Sequence, residues 1–86
     1  DIPNTFTPNG DNYNDTWVIE KLNLYPNYEL LVFNKWGNEI YKSTSLEEEW
    51  DGTQYGKPLP SGVYYYILKL NNTDDLQYTG TITLIR

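Results

Sequence analysis

Cysteine, histidine and methionine are missing from all 86 residues. No disulfide can brace the fold, and the missing cysteine leaves the compartment open, since exported and cytosolic proteins alike can do without it. The usual general base, the thiol nucleophile and the commonest zinc ligands are gone with them. Ser43, Ser45 and Ser61 therefore have no histidine to activate them, a Ser/His/Asp arrangement is excluded, and zinc or copper has no ordinary donor set. Basic charge is also scarce, with six Lys and Arg against twelve Asp and Glu for a net charge of −6. Lys21, Lys35, Lys42, Lys57, Lys69 and Arg86 are scattered, so no stripe tracks a phosphate backbone, which argues against nucleic-acid binding. No apolar run approaches the roughly 20 residues that span a bilayer. No charged-then-apolar signal segment opens the chain.

Aromatic side chains are plentiful: nine Tyr, three Trp and two Phe make up 16% of the chain. They are what a domain this small needs, because a chain of this length buries only about 60–65% of its unfolded surface. Residues 1–86 are expected to form a single domain, cut from a longer protein.

Short apolar runs separated by turn residues organise the chain. Strands are expected at Trp17–Glu20, Tyr28–Asn34, Glu39–Ser43, Val63–Leu70 and Gln77–Ile85. Lys35-Trp36-Gly37-Asn38 has the composition of a hairpin turn, with Gly37 and Asn38 tolerant of left-handed angles. In the Val63 strand, Tyr64, Tyr66, Leu68 and Leu70 share one face, and Val63, Tyr65, Ile67 and Lys69 the other. Apolar character on both faces predicts a central strand with neighbours on each side. Ser43 to Pro60 is the least regular stretch, with capping-box spacing from Ser45 to Glu48. No helix of useful length is expected. Short strands at roughly 8–12-residue spacing predict an all-β fold, a sandwich rather than a barrel.

Five features invite chemistry. The loop after Phe6 and Pro8 offers side-chain oxygens from Asn9, Asp11, Asn14 and Asp15. Two readings stand: a turn whose Asn and Asp side chains bond nearby amides, or a site for calcium, with Asp51 or another remote acid completing the shell. Its spacing is not that of an EF-hand. Trp50-Asp51-Gly52 reads as a buried tryptophan followed by a chain reversal, or as an aromatic platform for a sugar ring. Trp36 reads as a turn residue folded onto its own hairpin, or as an exposed contact for a partner. Glu47, Glu48, Glu49 and Asp51 read as a solvated run; a glycosidase would need two carboxylates facing each other across a cleft. Asn14-Asp15-Thr16 and Asn71-Asn72-Thr73 fit the N-glycosylation triplet, a weak signal in a chain rich in Asn and Thr.

Four blocks in order carry a resemblance. They are Phe6-Thr7-Pro8-Asn9-Gly10-Asp11 with Asn14-Asp15; Phe33-Asn34-Lys35-Trp36-Gly37-Asn38-Glu39-Ile40-Tyr41; Trp50-Asp51-Gly52; and Leu59-Pro60-Ser61-Gly62-Val63-Tyr64-Tyr65-Tyr66. Gly80-Thr81-Ile82-Thr83-Leu84-Ile85-Arg86 closes the chain. Together they resemble the gliding-motility-associated C-terminal domain of Bacteroidetes, the type B sorting domain of the type IX secretion system. At Asn12-Tyr13 the chain departs from members that have glycine after the aspartate.

The resemblance implies an immunoglobulin-like antiparallel β-sandwich of about seven short strands. It implies a non-enzymatic sorting signal at the C-terminus of large exported proteins, often adhesins. Such a domain directs its cargo from the periplasm across the outer membrane to the cell surface or medium. The implied partners are the type IX translocon and a dedicated outer-membrane partner protein, without a membrane span in the domain itself.

A sorting tag needs a constant docking surface. The expected one is Trp36 with the terminal strand Gly80, Thr81, Ile82, Thr83, Leu84, Ile85 and Arg86, because an edge strand offers backbone groups that another chain can extend. Two other functions compete. A carbohydrate-binding module would need a coplanar exposed set such as Trp36, Trp50 and Tyr55, and would bind glycans above background. A passive spacer in a repeat adhesin would need no docking surface. Deletion of Thr81 to Arg86 is expected to abolish export of a fused cargo while the cargo still folds; secretion that persists would contradict docking through the terminal strand.

Overall fold

The computed structural model describes residues 2, 4–8, 16–19, 22–44, 49–72 and 75–85. The calcium-candidate residues Asn9, Asp11, Asn14 and Asp15, the Ser45/Glu48 pair, Glu47 and Arg86 lie outside the described residues. The strands are β1 (Thr5–Phe6), β2 (Glu29–Phe33), β3 (Glu39–Ser43), β4 (Thr53–Gln54), β5 (Lys57–Pro58), β6 (Gly62–Lys69) and β7 (Gln77–Leu84). The fold is the expected all-β, immunoglobulin-like sandwich, with a 3-10 turn at Leu22–Leu24.

One sheet dominates, in the order β1-β7-β6-β2-β3, and β4 pairs only with β5. All neighbours in the large sheet are antiparallel except β1, which runs parallel to β7 with Thr5 beside Thr83 and Phe6 beside Leu84. Two expectations are refined. In the candidate strand at Trp17–Glu20, the described residues 17–19 form one bridge, the Trp17 amide donating to the Trp50 carbonyl at 2.8 Å. The terminal strand is not a bare edge along its whole length, because β1 covers its last residues.

The core lies on one face of the sheet. Phe6, Leu30, Val32, Ile40, Tyr64, Leu68, Ile82 and Leu84 are buried there. Trp50 closes over them from the other layer. It is 1% exposed, and its ring meets Phe6, Tyr64 and Tyr41 at centroid distances of 5.2, 5.4 and 6.1 Å. One tryptophan thus touches rings from β1, β6 and β3. Trp17 stands edge-on to Trp50 at 6.5 Å and to Tyr66 at 5.2 Å. These are the tilted and T-shaped geometries that aromatic quadrupoles prefer. The Trp50 indole N–H donates to the Thr53 carbonyl at 3.2 Å, so its polar edge enters the core partnered. The chain then reverses as expected: Asp51 Oδ1 accepts from the Thr53 amide and hydroxyl at 3.1 and 2.6 Å, and Gly52 has φ +82°.

β3 reaches the core through a bulge. Val32 pairs with Tyr41 but Phe33 with Glu39, so Ile40 is the extra residue. The irregularity lets Ile40 be buried while its neighbour Tyr41 still meets Trp50.

β6 is the third of the five strands, as its apolar residues predicted. Only one of its faces is covered. Tyr64, Leu68 and Leu70 are buried, whereas Val63 and Tyr65 on the opposite face are exposed. The two-sided apolar pattern therefore does not mark a strand covered on both faces, and the outer face of the sheet keeps apolar side chains in water.

Gly80 sits opposite Tyr66 across β6 and β7. A Cβ at Gly80 would come within 2.8 Å of the Tyr66 hydroxyl oxygen and 2.9 Å of its ring. The Tyr66 ring is held by Trp17 and cannot swing aside freely. Burial also raises the Tyr66 hydroxyl pKa above its ordinary value. Gly80→Ala is expected to cost about 1–3 kcal/mol of stability in urea unfolding, the usual penalty for overpacking; an unchanged midpoint would show that the Tyr66 ring yields.

Candidate functional site

The β2–β3 hairpin tip is built around Asn34. Its side-chain oxygen accepts from the amides of Trp36 and Asn38 at 2.9 and 3.0 Å. Its carbonyl accepts from the Gly37 amide at 2.9 Å, and its own amide donates to the Asn38 carbonyl at 3.0 Å. Gly37 supplies the left-handed angle, φ +83°. Asparagine at the start of a reversal mimics a turn of backbone, which is why it locks this one. The product is a rigid tip that holds Trp36 outward, 75% exposed. The Lys35 ammonium lies 4.9 Å from its ring centroid, a cation–π contact that steadies the indole. Trp36 is therefore exposed and is not folded onto its hairpin.

From this tip a surface crosses the outer face of the sheet. One groove runs beside Trp36 and is lined by Pro60, Ser61, Val63 and Tyr65. A second is lined by Phe33, Lys35, Tyr65, Ile67, Thr79 and Thr81. Tyr65 borders both, so Trp36 and the outward residues of β7 belong to one continuous surface. Register explains the second lining: Tyr65 pairs with Phe33 on one side and with Thr81 on the other, and Ile67 pairs with Thr79. The far end of this face carries charge instead, with Glu29 between Lys42 at 3.2 Å and Lys69 at 3.9 Å.

The residues expected for docking divide three ways. Trp36 and Thr81 lie on this surface, and Ile85 is exposed just past β7. Gly80 is turned under Tyr66, and Ile82 and Leu84 are both fully buried. The Thr83 amide is taken by the Asn4 carbonyl at 2.8 Å and the Ile85 amide by the Phe6 carbonyl at 3.0 Å. Deletion from Thr81 onward thus also removes two core residues, so loss of export after it reports unfolding of the domain as well as loss of docking. Tyr65 and Thr79 join the surface although neither was expected there. The signal available was the apolar residue at Tyr65 on the face of β6 opposite Tyr64.

The sugar platform is not assembled. Trp50 is in the core, while Tyr55 is 94% exposed at the β4–β5 turn with φ +54°. Glu49 accepts from the Thr16 hydroxyl at 2.8 Å, and Asp51 caps its own turn. Among the described residues no group of three acidic side chains is placed to hold a metal ion.

The tip gives a stability test. Asn34→Ala removes the acceptor for two amides and is expected to cost about 1 kcal/mol. Trp36→Ala should leave stability within about 0.5 kcal/mol, as is usual for a surface position. Thermal and urea unfolding of both variants check the pair; a large loss in Trp36→Ala would make the indole structural.

The description CHU_C Type IX secretion signal domain matches residues 1–84. Among solved structures, the chain superposes with a TM-score of 0.57 and 17% identity on PorZ, an essential bacterial surface component of the type-IX secretion system of Porphyromonas gingivalis. The match covers 70% of this chain and 8% of that one, and at this identity it speaks for the fold alone. No curated protein matches. With its four ordered blocks and a β-sandwich built on them, the chain belongs to the type IX secretion signal domain family, and its role is that of a sorting signal.

Proposed function

We propose that residues 1–86 are one C-terminal sorting domain that carries a larger cargo across the outer membrane by docking on the type IX translocon and a dedicated outer-membrane partner protein. The cargo is a secreted protein. It passes through the periplasm and ends at the cell surface or in the medium. The observation that carries this reading is Trp36, three-quarters exposed on a tip held by hydrogen bonds at Asn34. A rigid exposed tryptophan loses little freedom on binding, and such residues concentrate binding energy at protein interfaces. The adjoining apolar face, with Val63 and Tyr65 in solvent, supplies the area around it.

Nothing catalytic is needed for such a task. The domain presents the same surface whatever cargo precedes it, because the Trp50 core closes the sandwich independently of the rest of the protein.

A fusion assay tests the reading. A signal peptide, a fluorescent reporter and residues 1–86 are expressed in a type IX-competent bacterium and in a strain without the secretion machinery. Delivery to the surface or medium is expected only in the first. Trp36→Ala should lower delivery strongly, since a hot-spot tryptophan is worth about 2 kcal/mol or more of binding. Periplasmic retention of the folded unmodified fusion in both strains would overturn the sorting reading.

A further inference from the structure

The large sheet has two edges, and they are built differently. The β3 edge carries exposed Glu39 and Lys42 and the bulge at Ile40. Charge and bulges are the usual defences against addition of another strand. The β7 edge has neither: Gln77-Tyr78-Thr79-Gly80-Thr81-Ile82-Thr83-Leu84 contains no charge and no proline, and its register with β6 is unbroken. Threonine, tyrosine and isoleucine also give it high strand preference.

The direction of its backbone groups follows from the bonds at its two ends. The Leu70 amide donates to the Leu76 carbonyl, which turns the even-numbered residues of β7 toward β6. The Thr83 and Ile85 amides donate to Asn4 and Phe6, which turns the odd-numbered residues toward β1. Gln77, Thr79 and Thr81 therefore aim their N–H and C=O groups away from β6. The β1 ladder ends at Asn4, and the outward groups of these three residues have no partner among the described residues.

We propose that Gln77–Thr81 is a strand-addition site, filled during export by an extended segment of the partner protein that carries a basic residue at the end beside Asp75. This rests on the sorting reading and adds how the partner is gripped. The open stretch is five residues, about 17 Å of strand. Side chains of the added strand alternate between Thr79 and Thr81 near Tyr65 on one face and Tyr78, 46% exposed, on the other. An apolar residue suits the Tyr78 side. Charge decides between occupants. Asp75 is exposed two residues before Gln77 in a chain of net charge −6, which repels a second copy and favours a basic strand.

Amide exchange on the 86-residue chain comes first. Thr79 and Thr81 should exchange fast while Gly80, Ile82 and Thr83 are protected; protection of Thr79 and Thr81 equal to that of Thr83 would mean the edge is already closed and would overturn the proposal. Export of the reporter fusion comes second. Thr79→Pro removes only an outward N–H and leaves the ladder to β6 intact, a position where an edge strand accepts proline. It should lower export at least about tenfold, since strand addition relies on main-chain bonds. Asp75→Asn should lower it about twofold to threefold through the lost charge, and Leu24→Lys, at an exposed apolar position elsewhere, should not change it. If Thr79→Pro fails to fold, the double variant Thr79→Lys, Thr81→Lys takes its place. A folded edge variant exported like the unmodified fusion sinks the strand-addition site and leaves the sorting function standing. Retention of the unmodified fusion sinks both. A dimer in solution that Thr79→Pro dissolves would make the occupant a second copy and overturn the proposal.

Discussion

The structure depends on one packing arrangement, the closure of Trp50 over the inner face of the sheet. A short chain without disulfides must find its stability in large apolar side chains. Trp50, the largest fully buried side chain, touches rings on strands that are distant in sequence, and its indole N–H is satisfied by the nearby Thr53 carbonyl. Its backbone carbonyl anchors Trp17, and Trp17 in turn holds Tyr66. Tyr66 fixes the space above Gly80, so the glycine of the last strand is a consequence of the aromatic cluster rather than of a turn.

Because the aromatic cluster occupies one side of the sheet, apolar side chains on the other side stay exposed. Apolar side chains appear on both faces of β6, yet burial separates them: Tyr64 and Leu68 are buried, whereas Val63 and Tyr65 are exposed. The rigid Asn34 tip places Trp36 at one end of that outer face, and β7 runs along its side.

Much of the fold was legible along the chain. The two-sided apolar run over Val63–Leu70, the Asn-Gly-rich hairpin after Phe33 and the turn after Trp50 each encode a local choice, and local choices survive folding. The burial of Trp50 was legible because an Asp-Gly reversal follows it directly. The fate of Trp36 was less so, because an indole beside a hairpin turn packs inward or projects outward according to hydrogen bonds such as those of Asn34. The terminal strand was found, but its separation into buried Ile82 and Leu84, β1-paired Thr83 and a stretch Gln77–Thr81 beyond the reach of β1 was not, since that depends on where a strand nearly eighty residues upstream comes to lie.

Composition and order of residues settled that this is a small disulfide-free β domain, without thiol or imidazole chemistry, carrying the ordered blocks of a secretion signal family. Those are properties of residue types and short-range periodicity. Which face is wet, where β1 lies along β7 and which aromatics meet were settled by tertiary packing. The physical reason is that burial and strand pairing here are long-range: Trp17 meets Trp50, Tyr65 lies beside Thr81, and Thr5 lies beside Thr83. No window along the chain contains both members of any of these pairs except the one spanning β6 and β7.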